Sequence, residues 1–564
     1  MARLYERHTK RKVVSLDGMW KFRIDPERRG IREKWFENFP IDSMDVVVPS
    51  CWNNELGLYD YEGCGWYYTT FRNTGNHMNL LFHAVTGQAE VYVDGIHMGG
   101  HYGGFTGFNF VLRDLVPGEH TLVVLVDNTH NDTDTIPLAR VDWFHYGGIT
   151  RSVELMELPE IWIQKHRVEY TLSEDLKTAT LGFDIHLEAF SAKAAAGELR
   201  ILLNDRVVAR HALKEGALAA NVKLGGIPVR DIKLWDIGKP NLYTVTIEID
   251  GDDSVERIGF RRIEAKNQKI LLNGREIFIK GVNRHEDHPD WGFAIPLKLM
   301  KRDMDIIKEM GCNAIRGSHY PNSELFLDLC DQEGMLFWEE IPMWQYFDKH
   351  FKNPVVVDRG LKMLEEMVER DYHRPSIIIW SVHNEVDSNE PSCFDMTKLF
   401  VEKVRSLDSS RLLTYASYKD INDICFSLVD IVCLNKYLGW YHDQMEDWGE
   451  FIGKVSAKLE NEGLSHLPMV ISEFGAAGLY GDVTFEGPKW TENYQENYLN
   501  YTLNLFLNHP RLAGTYIWQY CDIRTAKEME MGRARSFNNK GIVNEYRKPK
   551  MAYWTVKKFY SSID

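Results

Sequence analysis

The second half of the chain alternates short apolar strands with helical segments eight times, and few folds absorb that rhythm. From about residue 264 the strand candidates are Ile277–Val282, Asn313–Arg316, Leu336–Glu340, Ile377–Ser381, Leu412–Tyr415, Ile431–Leu434, Met469–Ser472 and Gly514–Trp518. Between them run segments of helical period, such as Asp358-Arg359-Gly360-Leu361-Lys362-Met363-Leu364-Glu365-Glu366-Met367-Val368. Parallel strands need crossovers of this kind. Eight β-α units over 264–564 predict a closed (β/α)8 barrel, whose active site lies at the C-terminal ends of its strands.

The remaining half is β throughout. Val91-Tyr92-Val93-Asp94-Gly95-Ile96 alternates into a D-G turn, and Thr121–Val126 is a short apolar run. These features predict an antiparallel sandwich over 1–162. Residues 163–263 hold further short strands, as in Tyr243–Ile249 before Asp250-Gly251. Their number and length suit a seven-stranded immunoglobulin-like sandwich without its disulfide.

Composition excludes several functions. With 44% hydrophobic and 26% charged residues the chain is an ordinary globular one, not a disordered or coiled-coil one. A net charge of −16 without any basic block leaves no footprint for nucleic acid. No apolar stretch is long enough to span a membrane. The eight cysteines lack C-x-x-C spacing, so they read as core residues of a reducing compartment, not as zinc ligands or disulfides. Met1–Lys12 leads into no apolar run, so a cytoplasmic location is expected.

Polar and aromatic groups stand at nearly every barrel strand end. They include Asn283-Arg284-His285-Glu286-Asp287-His288, Asn384-Glu385, Asn435-Lys436-Tyr437, Glu473 and Trp518-Gln519. Glu385 follows the fourth strand and Glu473 ends the seventh, so both converge on the barrel mouth. Glycoside hydrolysis needs such a pair, one carboxyl protonated and the other ionised. His285-x-x-His288 lacks the spacing of a zinc protease helix, and hydrolysis of this kind needs no metal or cofactor; none is expected.

Trp380-Ser381 leading to Asn384-Glu385, and Ser472-Glu473-Phe474-Gly475, resemble glycoside hydrolase family 2. Asn313–Pro321 is similar to one family signature, while Asp371-Tyr372-His373-Arg374-Pro375-Ser376 is a looser form of the other. The resemblance covers the whole chain and implies a jelly-roll sandwich, an immunoglobulin-like sandwich and a TIM barrel in that order. It implies a retaining mechanism, with Glu473 as nucleophile and Glu385 as acid then base, their carboxyls about 5 Å apart. Homo-oligomers are common in the family.

Within the family, Asn435-Lys436-Tyr437-Leu438-Gly439-Trp440-Tyr441 and Asn538-Asn539-Lys540 resemble the glucuronide-cleaving branch. That resemblance assigns Lys540, Asn538 and Tyr441 to the sugar carboxylate, along with Arg535, for which Arg533 competes. It places Asp142 and His285 on ring hydroxyls, Asn384 on the 2-hydroxyl, Asn435 at the site, and Tyr437 beside the nucleophile. Trp518 should lie under the sugar and precede a cis peptide bond. The expected substrate is a small glucuronide or a glucuronate-terminated oligosaccharide. The short stretch from Ile341 to Lys362 implies an open site that Trp344, Tyr346 and Phe347 line. A β-galacturonidase or β-galactosidase is the alternative, and a non-catalytic sugar-binding protein a third reading, which keeping both glutamates disfavours.

Overall fold

The computed structural model describes residues 2–191, 197–213 and 219–563. Eight parallel strands close the barrel: β1 (Ile279–Arg284), β2 (Ala314–Gly317), β3 (Leu336–Glu340), β4 (Ile377–Asn384), β5 (Leu412–Ser417), β6 (Val432–Asn435), β7 (Met469–Phe474) and β8 (Leu512–Ile517). Closure is made by β8 pairing β1, with Ile279 opposite Gly514. Most bounds shift by one to three residues from the sequence reading, and two of the differences carry structural meaning. Arg275–Ile277 belongs to a three-stranded antiparallel sheet instead of β1. That sheet packs Ile270, Leu272 and Ile277 into one apolar cluster with the early residues of the barrel strands, and so plugs the end opposite the site. Strand β4 runs on to Asn384, where Trp344 bridges it.

The helices follow from local chemistry. Asn353 caps Pro354–Asp371 by accepting from Val355 N, and proline stands in the first turn, where its missing N–H costs nothing. Val356, Gly360, Met363, Leu364, Met367 and Val368 fall on one stripe and are buried.

The N-terminal domain packs a six-stranded on a four-stranded antiparallel sheet around Trp20, Phe22, Trp52, Tyr67, Leu122 and Val124. The middle domain packs a three-stranded on a four-stranded sheet. Its strand Thr178–Ala189 buries every second residue, as a strand with one face inward must. All eight cysteines are buried and unpaired.

Domain contacts position the site. Ile136, Leu138, Val141, Trp143, Phe144 and Tyr146 of the N-terminal domain share one apolar cluster with the barrel. Tyr346, expected to line the site, is turned inward and donates to Thr135 O at 2.6 Å. Phe347 is exposed and does not line the cavity.

His83 ties the first sheet to the barrel. Its ring nitrogens lie 2.8 Å from Glu324 and 3.1 Å from Glu154. Burial works against its charge, but the two carboxylates outweigh burial and raise the imidazole to about 8. The charged form therefore stabilises the fold. That contribution, of about 2 kcal/mol, is complete below the ordinary histidine value of about 6.5 and is lost as pH rises through about 8. Replacing His83 with Gln should flatten the fall in Tm across this window. An equal fall in both proteins would show that the pair contributes nothing.

Candidate active site

Glu385 stands immediately after β4 with φ at 50°, a left-handed backbone that costs a residue with a side chain. Its N–H donates to Ala416 O at 2.9 Å, which fixes the turn. Its carboxyl accepts from Gln345 Nε2 and Asn435 Nδ2, each at 2.9 Å. Glu473, on β7, accepts from Arg316 Nη1 at 2.9 Å and from the Tyr437 hydroxyl at 2.7 Å.

Arg316, on β2, is fully buried and organises the floor. It donates to both oxygens of Glu340 (3.1 and 2.9 Å) and to Asn384 Oδ1 at 2.6 Å. Because Asn384 Oδ1 also accepts from Asn435 at 3.1 Å, the amide is oriented with its buried Nδ2 unpaired. His285 likewise keeps a buried, unpaired Nε2, while its Nδ1 lies 3.2 Å from the Tyr320 hydroxyl. The amide nitrogen is a ready donor for a hydroxyl group, and the ring nitrogen can pair with one as donor or acceptor.

The two glutamates form one electrostatic unit. Burial, then the Glu385 charge, raise Glu473 to about 8, and burial also raises Glu385. Two carboxyls coupled in shared burial titrate as a pair. Arg316 and Tyr437 both favour the Glu473 anion, whereas Glu385 receives only neutral amides. Arg316 and Tyr437 thus offset part of the burial that raises Glu473, while no cation donates to Glu385. Arg316 itself is raised: burial opposes its charge, but Glu340 and Glu473 outweigh it.

A second cluster is built by the segment after β8. Ile523–Arg524 pairs Phe537–Asn538 as a short hairpin, and Gln519 N donates to Lys540 O at 3.1 Å. Gly541 is required here, since a Cβ would lie 2.2 Å from Asp522 N. Lys540 is 2% exposed, and its ammonium donates to the Tyr441 hydroxyl at 2.6 Å. Among the described residues it has no carboxylate partner. Burial depresses its pKa. Tyr441 is lowered, because Lys540 and Arg533 outweigh the effect of burial.

Asp142 reaches this cluster from the N-terminal domain. Its neighbours Val141 and Trp143 are buried anchors. Its carboxylate takes a two-pronged ion pair from Arg533, with Nε at 3.0 Å, and accepts from Asn538 Nδ2 at 2.8 Å. Arg533 Nη1 also donates to the Tyr441 hydroxyl at 3.2 Å. Arg535 corrects the sequence reading: it is half exposed and pairs with Glu545 at 3.1 Å, away from the cluster. The intervening backbone turns left-handed at Arg535 and Ser536, so the two arginines point to different partners.

Asp142, Glu385, Glu473, Tyr441, Trp518 and Arg533 line a cavity of about 460 Å³. Trp518 stacks on His319 with ring centres 5.1 Å apart, and His319 Nδ1 lies 2.6 Å from Glu340. The Trp518-Gln519 and Ser318-His319 peptide bonds are both cis. Gln345 was not singled out from the sequence, and nothing in its neighbourhood signals a role. Arg316 was quoted only within a signature, although a charge in the middle of a barrel strand is itself a signal.

A pair of enclosed carboxyls at the ends of β4 and β7, beside an aromatic floor, defines a glycoside hydrolase. Comparison with known proteins agrees. Residues 13–159 match the glycosyl hydrolases family 2 sugar binding domain, 161–261 the glycosyl hydrolases family 2 domain, and 263–564 the family 2 TIM barrel domain. The chain belongs to glycosyl hydrolases family 2. A β-glucuronidase of Paenibacillus borealis is 26% identical over 96% of this chain and 96% of its own. The structure of a family 2 β-galacturonidase from Eisenbergiella tayi, bound to galacturonate, superposes with a TM-score of 0.93 at 34% identity, covering both chains fully. A Ruminococcus gnavus β-glucuronidase in complex with uronic isofagomine gives 0.86 at 27% identity over 99% of each chain.

Proposed function

We propose that the enzyme removes a terminal β-linked glucuronate, with retention of configuration, from a small glucuronide or a glucuronate-terminated oligosaccharide. One observation carries the sugar class. Lys540 is a buried ammonium whose hydrogen bond goes to a phenol, with no carboxylate in ion-pair contact among the described residues. Burying an unpaired charge is costly, and a uronate carboxylate supplies the missing partner. Asn538, Tyr441 and Arg533 complete that end of the pocket. Asn384 Nδ2 donates to a ring hydroxyl and His285 Nε2 pairs with another, Asn435 holds Glu385, and the Trp518 ring forms the floor. Glu385 protonates the leaving oxygen while Glu473 attacks the anomeric carbon; Glu385 then takes a proton from the water that releases the sugar. Eight unpaired cysteines support a reducing compartment, and no described helix is long and apolar enough to cross a membrane.

A second reading is favoured by the Eisenbergiella tayi relative: a galacturonide differs from a glucuronide only at C4, and Lys540 serves both. The test is a side-by-side assay of p-nitrophenyl β-glucuronide, β-galacturonide and β-galactoside. Both uronides should exceed the galactoside by about 10³-fold or more in kcat/KM, because the neutral sugar leaves Lys540 unpaired. Glucuronide should lead. Galacturonide leading would establish the second reading, and a preferred galactoside would overturn both. The first sugar released should be the β anomer by NMR.

A further inference from the structure

Once a uronate is bound, each lysine and arginine around the cavity has an anionic partner, with one exception. Arg316 faces Glu473 and Glu340, and Arg533 faces Asp142. Lys436 pairs with Asp420 at 2.6 Å. Lys540 is matched by the uronate itself. Arg140 lines the same cavity, is exposed, and makes no hydrogen bond or ion pair among the described residues.

Its position is held. Leu138 and Val141 on either side are buried. Ala139 N donates to Asn131 O at 3.2 Å, and His145 Nε2 lies 2.9 Å from Ala139 O. The guanidinium is therefore presented from a fixed stem, which lowers the ordering cost of binding. An unpaired arginine on open surface needs no explanation. This one faces a substrate cavity in a chain of net charge −16, whose overall field repels an anionic substrate.

We propose that Arg140 binds a carboxylate on the leaving portion of the substrate, so that the enzyme prefers uronides whose aglycone is itself acidic. The planar fork of a guanidinium matches a carboxylate in two parallel hydrogen bonds. The proposal rests on the uronidase reading above, and its test separates the two.

The probes are the β-glucuronide of 3-(4-hydroxyphenyl)propanoate and that of its N-methylamide. Two methylenes insulate the ring from the charge, so the phenols leave equally well. At low salt the wild-type enzyme should favour the acid by about tenfold in kcat/KM, which is about 1.4 kcal/mol. Salt should shrink the ratio. R140Q should bring it to about one, R140E should invert it, and R140K should restore part of it. p-Nitrophenyl β-glucuronide is assayed alongside. If wild-type enzyme cleaves that substrate but R140Q leaves the acid-to-amide ratio unchanged, the Arg140 proposal is overturned and the uronidase stands. If no uronide is cleaved, both fall.

Discussion

Replacing Glu473 with glutamine is expected to lower kcat by about 10⁴-fold or more, equivalent to about 5.5 kcal/mol of barrier. The amide keeps the shape of the carboxylate and an acceptor for Arg316, with its NH2 facing the Tyr437 hydroxyl as a donor, but it cannot form the glycosyl-enzyme. Tm should not fall, since one of two buried like-charged carboxyls has been removed while Arg316 keeps Glu340. Loss of activity without loss of Tm thus isolates the chemistry. Glu385→Ala should behave differently. Substrates with a good leaving group, which needs little proton donation, should lose much less than alkyl glucuronides. In the wild type, kcat/KM should follow a bell whose two limbs report the successive titrations of the Glu385 and Glu473 pair. Full activity of the Glu473 variant, or equal losses for all leaving groups in the Glu385 variant, would reverse the assignment.

Removing the Lys540 ammonium is the second large effect. Lys540→Ala should lower kcat/KM for a glucuronide by about 10²-fold or more, or about 3 kcal/mol. The uronate carboxylate would then enter without its principal charged partner, because Arg533 is already committed to Asp142. Weak activity on the neutral glucoside should fall much less, since that sugar has no carboxylate to lose. Equal losses on both substrates would mean that Lys540 only shapes the loop around Gly541, and the uronide assignment would revert to an unspecified family 2 glycosidase.

Much of the architecture was legible because burial leaves a periodic trace. Strands enclosed on both faces read as short apolar runs, and the barrel confirms eight of them. The misplaced bounds lie where that trace is ambiguous. Ile277 is apolar and buried in the plugging hairpin just as it would be in β1. The His383-Asn384 end of β4 carries no apolar signal, although both residues are buried.

The site divides along the same line. Glu385 and Glu473 could be found because a barrel directs every strand end to one mouth, so position along the chain becomes position in space. Which arginine joins the Asp142 and Tyr441 cluster could not, since Arg533 and Arg535 differ only through loop backbone angles that short polar segments do not encode by period. Gln345 and Arg140 were equally silent: one side-chain amide and one surface cation have no local pattern. Asp142 was reached only through the family resemblance, and its partner lies 391 residues away.

By itself, the sequence determined the β-rich first half, the barrel and two glutamates at strand ends, because hydrophobic period and strand-end chemistry are local properties, while Lys540 was reached through the family resemblance. The tertiary structure alone decided that Arg316 holds Glu473 while amides hold Glu385, and that Arg533, not Arg535, meets Asp142. It also decided that Lys540 is buried without an ion-pair partner among the described residues. Those facts depend on which distant groups share a low-dielectric space, and burial strengthens electrostatic contacts only once folding has brought the groups together.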